Sequence, residues 1–330
     1  MTQVSNAPLP MPRPQLGQFL SRYGTLTALL ALLIFNFVFT PHFATWQTLN
    51  VNLTQVATIV IVGVGMTLVI ATGGIDLSVG SLMAISGALA PLIFLGNIVK
   101  IGEIHLAVAV AIVVSVLMAG LFGWFNGWLI TRFRIQPIIA TLVLFIAGRG
   151  IAQVMTNGNL QPFKVPEFQV VGLGRVMGVP IQVIVMLALV AAAAWTLRRT
   201  VFGRQIIAIG GNEKAARLSG VPVAQVKRWV YFISGLVSGM AGLVVIAINS
   251  SSDANLVGLG MELDAIAAVA VGGTLLSGGR ATVVGTLIGA LIIQLVRYTL
   301  LANGVPPAVG PIVKAALIVC AVWLQRQNKA

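Results

Sequence analysis

The sequence has very few charged residues for its length. Of its 330 residues 8% are charged and only seven are acidic, whereas 58% are hydrophobic. A soluble domain draws about a quarter of its residues from Asp, Glu, Lys and Arg and covers its surface with them. This chain cannot build such a surface, so a soluble fold is excluded and a membrane protein with many spans is predicted.

Cysteine and histidine are almost absent. The single cysteine, Cys320, lies in an apolar run, which excludes an intrachain disulfide and any metal site built from several cysteines. The two histidines, His42 and His105, are isolated in the sequence, and no metal site is predicted. Neither H-E-x-x-H nor G-x-S-x-G occurs, so no residue is predicted to be catalytic.

No lysine follows a glycine anywhere in the chain, so it lacks the G-x-x-x-x-G-K-[ST] loop that cradles phosphates. We therefore expect the chain itself to hold no ATP and no other cofactor. The formal net charge of +13 is not read as a nucleic-acid surface, because most of the cations fall in short segments between apolar runs.

Long apolar runs make up most of the chain. Because a helix needs about 20 residues to cross a bilayer, ten runs are candidate spans: 25–40, 50–71, 79–99, 106–130, 137–156, 179–197, 229–249, 263–277, 281–301 and 308–324. The run 263–277 is short and glycine-broken and is compatible with a re-entrant segment, which leaves eight to eleven spans. The predicted fold class is an all-α polytopic membrane protein of about ten transmembrane helices, some short or broken.

The distribution of Lys and Arg predicts the orientation. Residues 1–22 are polar and proline-rich, and we expect them to form a retained cytoplasmic tail rather than a signal peptide, ahead of a transmembrane domain over 23–330. With this tail inside, fourteen of the twenty cations fall on the cytoplasmic side and five of the seven acids fall outside. The positive-inside rule then predicts that both termini are cytoplasmic.

A polar segment, ATGGIDLSVGS (71–81), separates two apolar runs. We expect Gly73 and Gly74 to end one span, and Asp76 or Ser78 to cap the next helix with its side-chain oxygen.

The same segment has a weak internal repeat. The ten residues GGIDLSVGSL (73–82) align without gaps with GGRATVVGTL (278–287), and repeated broken elements are common in transporters. Asp76 aligns with Ala281, and Thr282 follows as a candidate cap. A symmetric mechanism would not pair a chemical acid with alanine, so the pattern favours a helix cap over catalysis.

The longest predicted cytoplasmic loop spans 198–228. Within it Asn212 is expected to cap a short helix that ends at Gly220, and Pro222 prevents its continuation. One interpretation is a solvated basic loop; the other is a rigid docking element for a soluble partner.

Five segments together resemble a known family. They are GMTLVIATGGIDLSVGS (65–81), NGWLITRFRIQPIIATL (126–142), GRGIAQ (148–153), AIGGNEKAARLSGV (208–221) and ELDAIAAVAVGGTLLSGGR (262–280). In this order they resemble permeases of the ribose/galactose/xylose branch of ABC sugar importers, over about residues 30 to 320. The stretch 252–279 looks most like the galactofuranose-type subgroup.

The resemblance implies a coupling loop made of Asn212, Glu213, Ala215, Ala216, Arg217 and Gly220. The family's acid directly precedes the two alanines, whereas here Lys214 stands between Glu213 and Ala215. By the same resemblance the chain pairs with a second permease subunit, as a homodimer or heterodimer, in the bacterial inner membrane. A cytoplasmic ATPase binds ATP and Mg, and a periplasmic binding protein delivers a pentose or hexose, which crosses by alternating access.

Several polar residues within the spans are candidates for the translocation path or for contact with the binding protein: Arg149, Arg297, Asn52, Gln55 and Asn126. An arginine near mid-depth needs a partner or an aqueous vestibule. An internal pair of Arg149 with Glu262 or Asp264 is an equally good account, and helix–helix hydrogen bonds are the better account of the amides.

Two other classes of function remain as alternatives. One is an ion-coupled secondary sugar transporter with Asp76 as its proton or sodium site. The other is a membrane enzyme or assembly factor with a lipid substrate, which would need a cluster of Asp, Glu and His at one depth that the sequence does not offer.

Overall fold

The computed structural model describes residues 15–327, and their side chains from residue 24 to residue 321. This part of the chain is almost entirely helical. In chain order the helices are α1 (Gln15–Phe39), α2 (Trp46–Ala71), α3 (Val79–Phe94), α4 (Ile104–Phe133), α5 (Pro137–Met155), α6 (Pro166–Leu173), α7 (Ile181–Arg199), α8 (Val201–Gly211), α9 (Glu213–Leu218), α10 (Val223–Asn249), α11 (Met261–Val271), α12 (Val283–Ala302) and α13 (Val309–Gln327).

Four two-residue strands join the loops at one end of the bundle: β1 (Gln161–Pro162), β2 (Arg175–Val176), β3 (Val179–Pro180) and β4 (Ser251–Ser252). Strand β1 pairs with β4, and β2 pairs with β3, both antiparallel. This end is called the opposite end below. The other end carries α8 and α9 together with Arg132, Arg134 and Lys214, and is called the basic end.

Helix α2 forms the centre of the bundle. It is buried on every side from Val56 to Ala71, as expected of a helix that is apolar all round. Helix α10 packs beside it and also runs along α4, where small residues bring the two backbones together. A Cβ on Gly123 of α4 would lie 3.1 Å from the Cα of Gly235 in α10. Because lipid provides no hydrophobic drive between helices, this close approach of backbones is what holds α4 and α10 together.

Ten of the helices correspond to the ten predicted runs, and the chain is an all-helical, multi-pass membrane protein. Six of the described helices are long and apolar enough to span a bilayer: α2, α4, α5, α7, α10 and α12. Shorter apolar stretches occur at Gly24–Phe39, Val79–Phe94 and Val309–Ala321. Helix α11 has 11 residues and is only about 17 Å long at 1.5 Å per residue, which matches the expectation of one short element.

Three features differ from the sequence-based expectation. Helix α1 begins at Gln15, inside the predicted tail 1–22, whose first fourteen residues lie outside the described part of the chain. The predicted loop 198–228 is largely helical, because it contains the additional helix α8 and the first turns of α10. The short helix α6 was also not predicted.

Candidate functional site

Helix α9 is a short peg at the basic end. The side chain of Asn212 accepts a hydrogen bond from the backbone N–H of Ala215 at 3.0 Å, so the predicted cap is confirmed. Gly220 follows the helix with φ +82°, a conformation that side chains disfavour and that turns the chain back towards α10. Ala216 packs inward, whereas Leu218 is 90% exposed. The peg therefore presents an apolar tip to the outside.

One ion pair joins α9 to α10, and a second lies within α9. Glu213 accepts hydrogen bonds from Lys227 of α10 at 2.6 Å and from Arg217 at 3.1 Å. Partial burial alone would raise the pKa of the Glu213 carboxyl, but these two cations lower it below its ordinary value. The carboxylate thus stays charged at neutral pH, and protonation weakens the bridge only when the pH falls below the usual range of glutamate.

A basic cavity of about 920 Å³ lies beside this peg, between the α4–α5 connection, α9 and the start of α10. Five cations and a single acid, Glu213, line it; the cations are Arg132, Arg134, Lys214, Arg217 and Lys227. Since Glu213 pairs with only two of them, the cavity keeps a positive balance that suits an acidic protein surface.

Asp76 is fully buried and joins three helices. Its carboxylate accepts hydrogen bonds from the backbone N–H and the hydroxyl of Ser78, at 3.0 and 2.6 Å, and from the hydroxyl of Ser234 in α10 at 2.8 Å. Asn126 of α4 donates to the same Ser78 hydroxyl at 2.9 Å. Asp76 therefore connects the start of α3 to α4 and α10.

The predicted helix caps in the repeat are wrong. Ser78 precedes α3, yet its side chain makes no capping bond, because its hydroxyl is committed to Asp76. Thr282 precedes α12, but its hydroxyl donates to the carbonyl of Gly272 at 2.8 Å. In both places the hydroxyl group bonds to a residue of the segment between two helices instead of capping the helix that follows. The two segments lie at the same end of the bundle, because the N–H of Gly279 donates to the carbonyl of Ala71.

The amides Asn52 and Gln55 of α2 meet Gln294 of α12 towards the opposite end. Gln294 donates to both, at 3.2 and 2.7 Å, and its own carbonyl oxygen is buried without a hydrogen-bond donor. Asn52 and Gln294 also line a largely apolar cavity of about 350 Å³ between α1, α2 and α12. The hydrogen bonds of Gln294 to Asn52 and Gln55 thus join α12 to α2.

Arg149 is half-buried in α5 and binds carbonyl oxygens. It donates to Val257 at 2.6 Å and Ala254 at 2.9 Å, in the segment before α11, and lies 3.5 Å from the carbonyl of Gly80 in α3. Of the two acids predicted as its partners, Asp264 pairs with Lys314 of α13, whereas Glu262 attracts Arg149 electrostatically without reaching ion-pair distance. Arg149 therefore fastens α5 to the segment before α11 through backbone acceptors.

Reversing the charge at Arg149 should reduce assembly several-fold. In Arg149→Glu a carboxylate would face carbonyl oxygens, and each buried group left without a hydrogen bond costs about 1–3 kcal/mol. A loss of about 1–2 kcal/mol in stability changes abundance several-fold. The amount of folded Arg149→Glu in detergent-extracted membranes should therefore be at least several-fold lower than that of the wild type.

Arg175→Glu is the matched control, because this arginine is exposed at the same end and should tolerate the change. If Arg149→Glu assembles normally and loses only its response to a binding protein, the vestibule hypothesis is the better one.

Arg297 lies elsewhere, exposed on α12. It lines a cavity of about 370 Å³ with Asp264 and Lys314 at the opposite end of the bundle. The structure therefore separates the predicted path residues into distinct places. Arg149, Arg297 and the Asn52–Gln55 pair occupy three different surroundings, whereas Asn126 belongs to the Asp76 network.

Two residues of these networks, Ser234 and Gln294, were not identified from the sequence, and neither was the close packing of Gly210. Ser234 and Gln294 are single polar residues within apolar helices and carry no spacing signal. Gly210, which packs against the end of α2, belongs to a Gly-Gly pair like those at 73–74 and 278–279. That recurrence was the available signal.

Comparison with known proteins gives a consistent result. Residues 49–322 match the family described as branched-chain amino acid transport system, permease component. The chain is 41% identical over 315 residues to the ribose import permease protein RbsC of Escherichia coli K12, covering 94% of this chain and 95% of the relative.

Two further relatives carry other sugars in their names. The galactofuranose transporter permease protein YtfT of Escherichia coli K12 is 38% identical, with 92% and 89% of the two chains covered. The L-arabinose ABC transporter permease protein AraH of Azospirillum brasilense is 33% identical, with 94% and 89% covered.

Proposed function

The chain belongs to the permease-component family matched over residues 49–322, and from this premise we propose that it is the membrane subunit of an ATP-driven monosaccharide importer. In this proposal it moves a pentose or hexose from the periplasm to the cytoplasm by alternating access. The relatives are named for ribose, galactofuranose and arabinose, which supports a monosaccharide as the cargo.

The observation that carries this proposal is the geometry of α9. A helix of only six residues is capped by Asn212, braced by Glu213 on Lys227, and ends in a 90% exposed Leu218. An exposed leucine at the end of a fixed helix, beside a basic cavity, is typical of a surface that binds a protein partner.

The proposed mechanism uses this peg as a mechanical link. A separate ATPase binds ATP and Mg, docks on Leu218 and the basic cavity, and moves α9 when its two copies close. The ion pair of Glu213 with Lys227 passes part of that movement to α10, whose Ser234 holds Asp76. The bundle then exchanges between inward-open and outward-open arrangements.

The proposed partners follow from the exposed surfaces. Helix α5 packs on α3 and on part of α4 and leaves an apolar face open: Ile138, Ile139, Leu142, Val143, Ile146 and Val154. We assign this face to a second permease subunit and the opposite end to a periplasmic sugar-binding protein. The proposed location is the bacterial inner membrane, with both termini and the basic end in the cytoplasm.

The structure offers no support for Asp76 as an ion site. Its carboxylate accepts three internal hydrogen bonds, and it lines none of the three cavities described above. The ion-coupled alternative therefore ranks below the ATP-driven importer.

Purification of the tagged chain from its own membranes tests the proposal. We expect a P-loop ATPase to co-purify in stoichiometric amounts and to hydrolyse ATP faster when a sugar-loaded binding protein is added. Binding of that secreted protein to a panel of pentoses and hexoses then identifies the cargo. A chain that purifies without an ATPase and transports sugar on its own would refute the proposal.

A further inference from the structure

Three glycine pairs from distant parts of the chain meet at the basic end. They are Gly73–Gly74 after α2, Gly210–Gly211 at the end of α8, and Gly278–Gly279 between α11 and α12. Gly73, Gly278 and Gly279 have φ of +79°, +85° and +79°. Side chains rarely adopt these angles, so the turns depend on glycine.

The three segments touch through their backbones. The N–H of Gly279 donates to the carbonyl of Ala71, the last residue of α2, at 3.1 Å. Gly210 lies directly against this hydrogen bond, because a Cβ on Gly210 would overlap both the Ala71 oxygen and the Gly279 nitrogen. A Cβ on Gly278 would lie 2.8 Å from the nitrogen of Gly73 and 3.0 Å from the Cα of Gly210.

Contacts of this kind transmit displacement well. Side chains can change rotamer when a neighbour moves, whereas abutting backbones cannot, and close-packed interiors compress very little. A movement of Gly210 must therefore displace Ala71 and Gly279 together. Ala71 belongs to the first interrupted helix pair, α2–α3, and Gly279 belongs to the second, α11–α12.

The contacts among the three glycine pairs, called the glycine junction below, lie only a few residues from α9. Asn212 both follows the last residue of α8 and caps α9, so Gly210 stands two residues before the cap of α9. On its other side α9 is joined to α10 by residues 219–222, which include Gly220 at φ +82°. Two routes thus leave α9, one through the glycine junction and one through α10.

We propose that Gly210 is a positioning residue of the transport cycle, which transmits the movement of α9 directly to the hydrogen bond between Ala71 and Gly279. Both helix interruptions then shift when the coupling helix shifts, and the main route of coupling runs through α8 rather than α10. This inference rests on the proposed function, because it assumes that an ATPase moves α9.

The adjacent glycines of α8 provide a matched pair of variants. Gly210→Ala and Gly211→Ala add the same methyl group to the same helix, but a Cβ on Gly211 has no atom within 4 Å. Each variant is purified with its ATPase and placed in liposomes. Bound ATPase, hydrolysis stimulated by the sugar-loaded binding protein, and sugar taken up per ATP are then measured.

We expect Gly211→Ala to match the wild type in all three measurements. Gly210→Ala should keep its ATPase but lose at least about tenfold in sugar taken up per ATP, within the range of about 5- to 150-fold typical of coupling between sites. Gly210→Ala with wild-type uptake per ATP would overturn the inference. A wild-type chain that binds no ATPase would instead overturn the proposed function.

A second pair of variants decides the matter if Gly210→Ala fails to fold. One glycine is inserted between Gly211 and Asn212, and in the control one glycine is inserted between Ser219 and Gly220. Neither insertion enters the junction, and each loosens one route from α9. The first should uncouple hydrolysis from uptake and the second should preserve coupling; any other ranking contradicts a main route through Gly210.

Discussion

Replacing Asp76 with leucine should abolish assembly of the protein. The substitution leaves the Ser78 N–H, the Ser78 hydroxyl and the Ser234 hydroxyl without their buried acceptor. Each orphaned group costs about 1–3 kcal/mol, and net stabilities are only about 5–15 kcal/mol. Folded Asp76→Leu in membrane extracts, measured by size-exclusion chromatography, should fall below detection.

Asparagine at position 76 should be tolerated far better. Its carbonyl can accept from Ser78, while its amide group can donate to the Ser234 hydroxyl, which is also an acceptor. A hydrogen bond to a neutral group is weaker than one to a charged group by about 1–1.5 kcal/mol, but no buried group is left without a partner, so transport should be reduced and not abolished. If Asp76→Asn abolishes transport while assembly and ATPase coupling persist, Asp76 is an ion site after all.

Replacing Leu218 with aspartate should detach the ATPase. Leu218 is the exposed tip of α9, and burying a leucine side chain contributes about 1.5–3 kcal/mol. An aspartate at the tip loses that contribution, and its charge must also be desolvated in the interface. The affinity for the ATPase should therefore fall by about tenfold to a hundredfold. Titration of the labelled ATPase onto the chain in nanodiscs measures the effect.

Leu256→Asp is the control for this experiment. Leu256 is 65% exposed, but it lies in the segment before α11 at the opposite end of the bundle. It should bind the ATPase with wild-type affinity. Equal loss in the two variants would mean that the effect is not one of docking, and wild-type affinity in Leu218→Asp would place the ATPase interface elsewhere.

The fold was largely predictable because membrane spans leave a strong record in the sequence. A run such as 50–71 is expected to be a helix, because lipid offers no hydrogen-bond partners and a helix satisfies its backbone groups internally. The short helix α9 was predictable for a local reason, because Asn212 and Gly220 fix its two ends.

The additional helix α8 was not predicted, because its sequence VFGRQIIAIGG contains three glycines and follows two arginines, a composition that resembles a loop.

The polar networks were harder to predict than the spans. Asp76 or Ser78 had been expected to cap the next helix, which is a local interaction, whereas Asp76 also accepts a hydrogen bond from Ser234 of α10, 158 residues away. The partners of Arg149 are the backbone carbonyls of residues 254 and 257. Because every residue has a carbonyl, the sequence does not show which ones accept a hydrogen bond. What a pattern can predict is the residue that needs a partner, and the tertiary fold decides which partner it finds.

The central claim is that this chain imports a monosaccharide only when an ATPase moves it. Uptake of the sugar into proteoliposomes, containing the chain with its ATPase and supplied with the binding protein, tests this most directly. We predict that uptake requires ATP and both partners, and that it persists when ionophores collapse the proton and sodium gradients. Uptake by the chain alone, driven by either gradient and independent of ATP, would contradict the account.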